Sequence, residues 1–329
     1  NMLKSGVWPF IRQRPYDVVA NPTDAPKAIH VTAFDSAPLA PDYGFIAHGQ
    51  GALMQTGLDA LAKLTEGKVH LNITGNSNAD EAFSQAKNVQ INRISGPHPA
   101  GNVGIQMHHI DPVNKGEVVW VLNALDVLTI GKLFKEGKFD ASRTIAVAGS
   151  KIKSPKYIRT VLGANVGDLL KGNVEEGGRF ISGNPLTGTQ VNADGHLSFY
   201  NYQLTVIPAG GDFRFMGWLP FLGFTGKSLS RTSLSFLSPN KERDLDANLN
   251  GEERAFVMAG QYEKVFPMDI FPVHLVKSMI VQDIDLMENL GIYEVAPEDF
   301  ALCEFACTSK IETQKIVREA LDLVRKETS

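Results

Sequence analysis

The chain has only two cysteines in 329 residues, Cys303 and Cys307. Lying four residues apart, they argue against a disulfide scaffold and fit a reducing compartment. Long apolar runs are missing as well, and none approaches the roughly twenty residues that a membrane-spanning helix needs. The opening Asn1-Met2-Leu3-Lys4 reads as neither a signal peptide nor a lipidation or polybasic signal, so membrane association is expected only through protein contacts. The formal charge is −4 with no sustained basic block. Nucleic acid therefore has nothing obvious to bind through and is not expected as a partner.

What is present is a chain able to bury real cores, 43% hydrophobic and 21% charged, and long enough for two or three domains. It is organised around Ser95 to Phe134. Residues 95–112 hold three glycines and three prolines, which reads as a loop through which no regular element runs. Val118 to Leu122 is then a continuous apolar run of strand length, the pattern of a strand buried on both faces. A helix is expected to follow, with Asn123 as N-cap and Asp126 three residues on. A strand feeding a helix beneath a long loop suggests an open α/β sheet, whose sites lie at strand ends.

The rest is read around that stretch. Residues 1–27, with Pro9, Pro15, Pro22 and Pro26, read as a lead-in. Strands are expected at Ala28–Phe34, Lys68–Ile73, Val89–Ile94 and Thr144–Val147, and helices at Gly51–Leu64 and Asp80–Lys87. This alternation predicts a Rossmann-like α/β domain over 28–148. Over 149–225 the pattern becomes glycine-broken β segments at Tyr157–Leu162, Gly178–Ser182, His196–Tyr200 and Gln203–Pro208, with a short helix at Val166–Leu170, which suggests a β-grasp domain. Phe213 to Phe224 is aromatic and reads as a packed strand and turn or a docking surface. Residues 226–251 connect to a helical domain at 252–329, with segments at Val273–Val281, Asp283–Leu290 and Pro297–Phe305. In the last helix Val317, Ala320, Leu321 and Val324 form one apolar stripe. The fold class is α/β and α+β, multidomain.

The candidate chemistry is thin. Gly49 and Gly51 are followed by Gly57 rather than by a glycine three residues on, so no dinucleotide fingerprint forms. His98, His108, His109 and Asp111 share one loop but match no closed zinc pattern, and adjacent histidines entering a strand would face opposite ways. Cys303 and Cys307 lack the further ligands of a cluster and read as buried structural residues. In Asp244–Gly251 a calcium loop starting at Asp246 would place Val257 where a bidentate glutamate is required, so a polar turn is favoured. No catalytic, cofactor-binding or metal-ligating residue is assigned.

The strings ISGPHPAGNVGIQMHHIDPV and VVWVLNALDVLTIGKLF resemble the A-subunit (NqrA) family of sodium-translocating NADH:quinone oxidoreductases. So do GNPLTG, LSFYNYQLTVIPAG, FMGWLPF, NGEERAFVMAGQYEKVFPMDIFP and ALCEFAC. By this resemblance the chain is expected to lack the N-terminal barrel-sandwich, biotinyl-carrier-like domain with which family members begin, and to start after it at LKSGVWPF. The resemblance also implies kinship with the flavin-binding NADH subunit of respiratory complex I, and hence a Rossmann-like, an SLBB-like β-grasp and a helical domain in that order. The region matching that relative's glycine-rich FMN loop, LKSGVWPFIRQRPYD, carries bulky residues, and the cluster cysteines are reduced to two. The implied role is a cofactor-free subunit on the cytoplasmic face of the bacterial inner membrane, without a transmembrane segment and docked on the other subunits, the membrane B-subunit foremost. FAD, FMN, riboflavin and iron centres are implied in other subunits, with NADH, quinone and sodium as substrates. The isolated chain is expected to be non-catalytic. The histidines of the organising loop read first as hydrogen-bonded groups that shape a rigid loop; His98, Pro99, Gly101 and His108 there, with Trp218 and Phe221 of the aromatic segment, are candidates for partner or quinone contact, and an alternative makes the chain a quinone-binding subunit through that loop or Phe213–Phe224. A stand-alone NAD-dependent oxidoreductase is the other alternative.

Overall fold

Short apolar runs between turn residues build two sheets. In a computed structural model of the chain, residues 1–75, 79–211, 234–238 and 240–328 are described. Strands β1 (Arg12–Arg14), β2 (Val18–Val19), β3 (Ala28–Thr32), β4 (Lys68–Thr74), β5 (Gln90–Ile94) and β6 (Val119–Asn123) form the first sheet, in the order β2-β1-β6-β3-β4-β5. Strands β6, β3, β4 and β5 run parallel, as crossover helices require. The helices are α1 (Met2–Ser5), α2 (Tyr43–Ala47), α3 (Gly51–Leu61), α4 (Glu81–Ser84), α5 (Val103–Ile110) and α6 (Ala124–Glu136). Helices α3 and α6 touch backbone to backbone: a Cβ on Gly131 would stand 2.0 Å from the Leu53 carbonyl oxygen. Asn123 caps α6 as expected, its side chain accepting the Leu125 amide.

Two expectations for this region need correction. The lead-in is part of the sheet: β1 pairs antiparallel with β6, and Val7, Phe10 and Ile11 are buried. Its strand, Arg-Gln-Arg, has no apolar run to announce it. The loop 95–112 also contains a regular element, α5, because Pro97, Pro99 and Pro112 all lie outside residues 103–110 and spare the helix interior.

The second sheet runs β10-β9-β11-β7-β8, from β7 (Ser142–Ala148), β8 (Lys156–Val161), β9 (Gly178–Ser182), β10 (Thr189–Val191) and β11 (Gln203–Pro208). Helix α7 (Val166–Leu170) is capped by Asn165. Val166, Leu169 and Leu170 pack with Ile145, Val147, Leu204 and Val206. The strand expected at Thr144–Val147 exists but belongs to this sheet, since β7 pairs parallel with β11. The compact units accordingly divide between Ser142 and Arg143 rather than after residue 148. No strand forms at His196–Tyr200, where only an isolated bridge from His196 to Asn165 appears. Instead Arg143 takes the carbonyls of Phe199 and Asn201, and Thr189–Val191 supplies the sheet edge. Asp246 accepts both the amide and the side-chain amide of Asn248, an Asx turn, in line with the polar-turn reading of 244–251.

The helical stretch folds as α8 (Pro272–Ile280), α9 (Ile284–Asn289), α10 (Ala301–Ala306) and α11 (Thr313–Thr328), with 3-10 turns at Ile292–Glu294 and Pro297–Phe300. It does not stand alone: Ala255–Cys307 and Ile311–Ser329 form one compact unit with residues 1–142. Its core holds Phe266, Leu275, Phe300, Val317 and Leu321 and takes in Ile105 from α5. Cys303 and Cys307 are free and buried there, and burial pushes the Cys303 thiol up.

Inside the first sheet, His30 and His70 pair across β3 and β4 with rings stacked 4.4 Å apart at 7°. His30 is 0% exposed. Neither of its ring nitrogens has a partner, and burial, with smaller contributions from His70 and Lys27, lowers it to about 3. The folded protein thus holds His30 neutral while the unfolded chain binds a proton below its ordinary 6.5. Its contribution is present above that value and is lost as pH falls towards 3. Between pH about 7 and about 5, the native chain should lose roughly 2 kcal/mol more stability than His30→Leu, measured by denaturant unfolding.

Candidate functional site

Strands β6 and β3 are the parallel pair from which the sheet is extended in both directions, so their carboxyl ends are where an open α/β sheet places its site. Three segments meet there: the chain after β3, the turn holding His98, and the start of α6. Ser36 Oγ accepts the Gly101 amide at 2.7 Å and lies 3.0 Å from His98 Nδ1. The Gly101 carbonyl is taken by Thr32 Oγ1 at 3.2 Å and by Gln106 Nε2 at 3.1 Å. A Cβ at Gly101 would stand 2.5 Å from the Ser36 nitrogen, so only glycine lets the two turns close. Pro99 sits in the same turn, its carbonyl accepting the Asn102 amide.

The wall is polar but mostly satisfied. Asn72 donates to Gln106, Asn92 donates to Asn72, and Gln106 donates to Thr32, which forms a ladder between the sheet and α5. Asn123 donates to Tyr43 Oη. Burial, then the nearby Asp35 charge, pushes the Tyr43 phenol well up, and burial also holds Asp35 above the usual carboxylate range.

His98 is the exception. Its Nε2 is buried and has no hydrogen-bond partner. Burial lowers its pKa, favouring the neutral ring. With Ser36 Oγ already accepting from Gly101, the assignment that also uses the hydroxyl hydrogen is Ser36 donating to His98 Nδ1. In that arrangement the ring proton is on Nε2, a buried nitrogen without a hydrogen-bond partner.

His108 and His109 are on the last turn of α5 rather than entering a strand, and their rings lie edge to face 5.3 Å apart. His108 donates through Nδ1 to Glu294 Oε2 at 2.8 Å while Nε2 accepts the Asp269 amide at 2.9 Å. His109 lies 3.0 Å from the Pro267 carbonyl. Both therefore work away from His98, fastening α5 to the helical stretch. Trp218 and Phe221, with Phe213–Phe224 around them, lie outside the described residues. Ser36, Tyr43, Gln106 and Asn72 are not among the residues that the sequence singles out. Ser36 alone carries a signal, its position in the turn that ends a buried strand.

The segment around Trp8 is packed: its indole donates to the Ala20 carbonyl and meets Trp120 edge to face at 5.4 Å. Among the described residues no group of three or more His, Cys, Asp or Glu side chains is placed to hold a metal ion.

Residues 1–139 match the family described as the NqrA second alpha/beta domain, and residues 144–193 match the NQRA C-terminal domain. The chain is 39% identical over 329 residues to the A-subunit of the Na(+)-translocating NADH-quinone reductase of Pasteurella multocida, covering 99% of this chain and 73% of that protein. Identity to the corresponding protein of Photorhabdus laumondii is 38% over 331 residues, and to that of Neisseria meningitidis 37% over 329, with the same coverage. Among solved structures, an NAD+-reducing [NiFe]-hydrogenase matches 56% of this chain and 41% of its own at 12% identity and a TM-score of 0.43.

Removing the His108 ring strands the Glu294 carboxylate and the Asp269 amide together. His108→Ala should cost about 1–3 kcal/mol, read by denaturant unfolding, with faster amide exchange over 267–294. His108→Gln, which can replace one bond, should recover part of it.

Proposed function

The chain belongs to the NqrA family, and on that footing we propose that it serves the sodium-translocating NADH:quinone oxidoreductase as a peripheral component that holds no redox group of its own. It docks on the membrane subunits, the B-subunit foremost, from the cytoplasmic face of the bacterial inner membrane. Electrons pass from NADH through FAD, FMN, riboflavin and iron centres in other subunits to quinone, with export of sodium, and this chain supports assembly and quinone reduction. The observation that carries the reading is likeness to NqrA proteins along 99% of the chain, joined to a packed Val7–Ile11 segment where a flavin phosphate would need open backbone amides. No helix among the described residues is long and apolar enough to cross a membrane, which fits attachment through protein contacts. In this reading the first sheet is a degenerate Rossmann-like layer, the second an SLBB-like β-grasp, and the helical stretch, packed in one unit with the first sheet, corresponds to the helical domain of the complex I relative.

Deletion of this component should abolish sodium-stimulated NADH:quinone activity in membranes while the flavin and iron content of the remaining complex persists. Stoichiometric flavin or iron in the purified chain, or undiminished activity without it, would overturn the reading.

One observation favours a second role, a direct contribution to quinone binding: the buried, unpartnered Nε2 of His98. A quinone carbonyl is an acceptor suited to such a donor, and His98 lies on the turn beyond the strand ends where open α/β sheets place their ligands. In the purified complex His98→Ala should raise the KM for quinone about tenfold and leave the KM for NADH unchanged. An unchanged quinone KM would remove His98 from the site.

A further inference from the structure

Arg14, at the end of β1, is 0% exposed. Three carboxylates face it: Glu298 Oε1 at 2.9 Å, Asp299 Oδ2 at 3.6 Å and Asp17 Oδ1 at 3.7 Å. Asp17 is also paired with Arg12, which leaves Arg14 with Glu298 and Asp299, one positive charge against two negative. The Asp299 side chain is fully buried, whereas that of Glu298 is 35% exposed and open to exchange with solvent. The guanidinium is not saturated either, since Nε and Nη1 have no hydrogen-bond partner. A buried cluster with a surplus carboxylate favours keeping one of them neutral.

The cluster joins parts of the chain far apart in sequence. Glu298 and Asp299 lie in the 3-10 turn Pro297–Phe300, Asp299 Oδ2 accepts the Ala296 amide at 2.9 Å, and Asn102 donates to the Glu298 carbonyl at 3.2 Å. A Cβ on Gly104 would come within 2.5 Å of Asp299 Oδ2, so the turn presses on the first turn of α5.

We propose that Glu298 and Asp299 share one proton over Arg14, and that uptake of this proton closes the 297–300 turn on β1 and α5 while its loss loosens it. The other ionisable groups around the pair are Arg12 and Asp17 from the β1 end, Tyr43 from α2 and Cys303 from α10; Arg318 of α11 donates to the carbonyls of Tyr16 and Asp17 and pairs with Asp322. Burial, then Asp299 and Asp17 against the opposing pull of Arg14, raises Glu298 from 4.5 to about 7. Burial raises Asp299 as well. A carboxyl raised on folding keeps a proton that the unfolded chain has released, so its contribution is complete below 4.5 and is lost as pH rises through about 7. The clasp is thus tight on the acid side and loose on the alkaline side.

Amide exchange in the purified complex, corrected for the intrinsic pH dependence of exchange, tests this. From pH about 6 to about 8, protection over 12–14 and 297–306 should fall about tenfold, while α6 amides stay level. In Glu298→Gln, which keeps a neutral side chain of the same shape at the accessible rim, the fall should vanish. Asp299→Asn should also flatten it if that buried variant folds. A native chain with no fall, or Glu298→Gln retaining the native slope, would overturn the proposal.

Discussion

The first unit depends on how closely one short helix can lie between two layers. Helix α5 has eight residues, too few to persist alone, so its shape is imposed by what it touches. Gln106 reaches down to Thr32 and Asn72 on the sheet, and Ile105 enters the helical core on the other side. Asn102 and His108 fasten its two ends to the turns around Glu298 and Glu294. The approach is possible because residue 104 has no side chain where Asp299 presses in. The His98 turn is a continuation of the same chain, and its Gly101 carbonyl is held by Gln106 of that helix. A change that lets α5 drift would therefore loosen the helical stretch and the crevice wall together.

Elements that declare themselves by local pattern are legible in the sequence. Strand β6 is an apolar run of strand length, β3 is nearly one, β4 alternates apolar and polar residues, and α11 carries a regular stripe through Val317, Ala320, Leu321 and Val324. Elements defined by their neighbours are not. Strand β1 is Arg-Gln-Arg and is a strand only through its pairing with β6. Strand β7 reads as a strand wherever it is placed, and nothing in Thr144–Val147 says which sheet will take it. Helix α5 is hidden by the glycines and prolines around it, although the prolines all sit outside its span. At the crevice the same division holds: the loop is legible from its position after a strand, whereas the pairing of Ser36 with His98, 62 residues apart, is not.

Two buried titratable features in this unit act with opposite sign. His30 resists protonation, so its contribution fades as pH falls below 6.5. The Glu298–Asp299 pair welcomes a proton, so its contribution grows as pH falls below about 7. Between about 4.5 and 6.5 the two slopes offset one another, and a global unfolding profile there would look flat while both groups titrate. Single substitutions and local exchange separate what a global measurement merges, because His30 lies on β3 and the carboxylate pair lies against Arg14 of β1.

The crevice at the ends of β6 and β3 has been closed largely from within. In an open α/β sheet this position normally keeps backbone amides and polar side chains free for a ligand. Here Thr32, Asn72, Asn92, Gln106, Ser36 and Gly101 satisfy one another, and Asn123 is shared between Tyr43 and the cap of α6. A wall whose polar groups are already paired gives a phosphate little to gain, since each new bond would first break an existing one. A neutral ligand needing a single donor meets no such cost at His98 Nε2, which is unpaired to begin with. Among these groups His98 Nε2 stands apart as a buried nitrogen without a partner, on a ring in contact with Ser36.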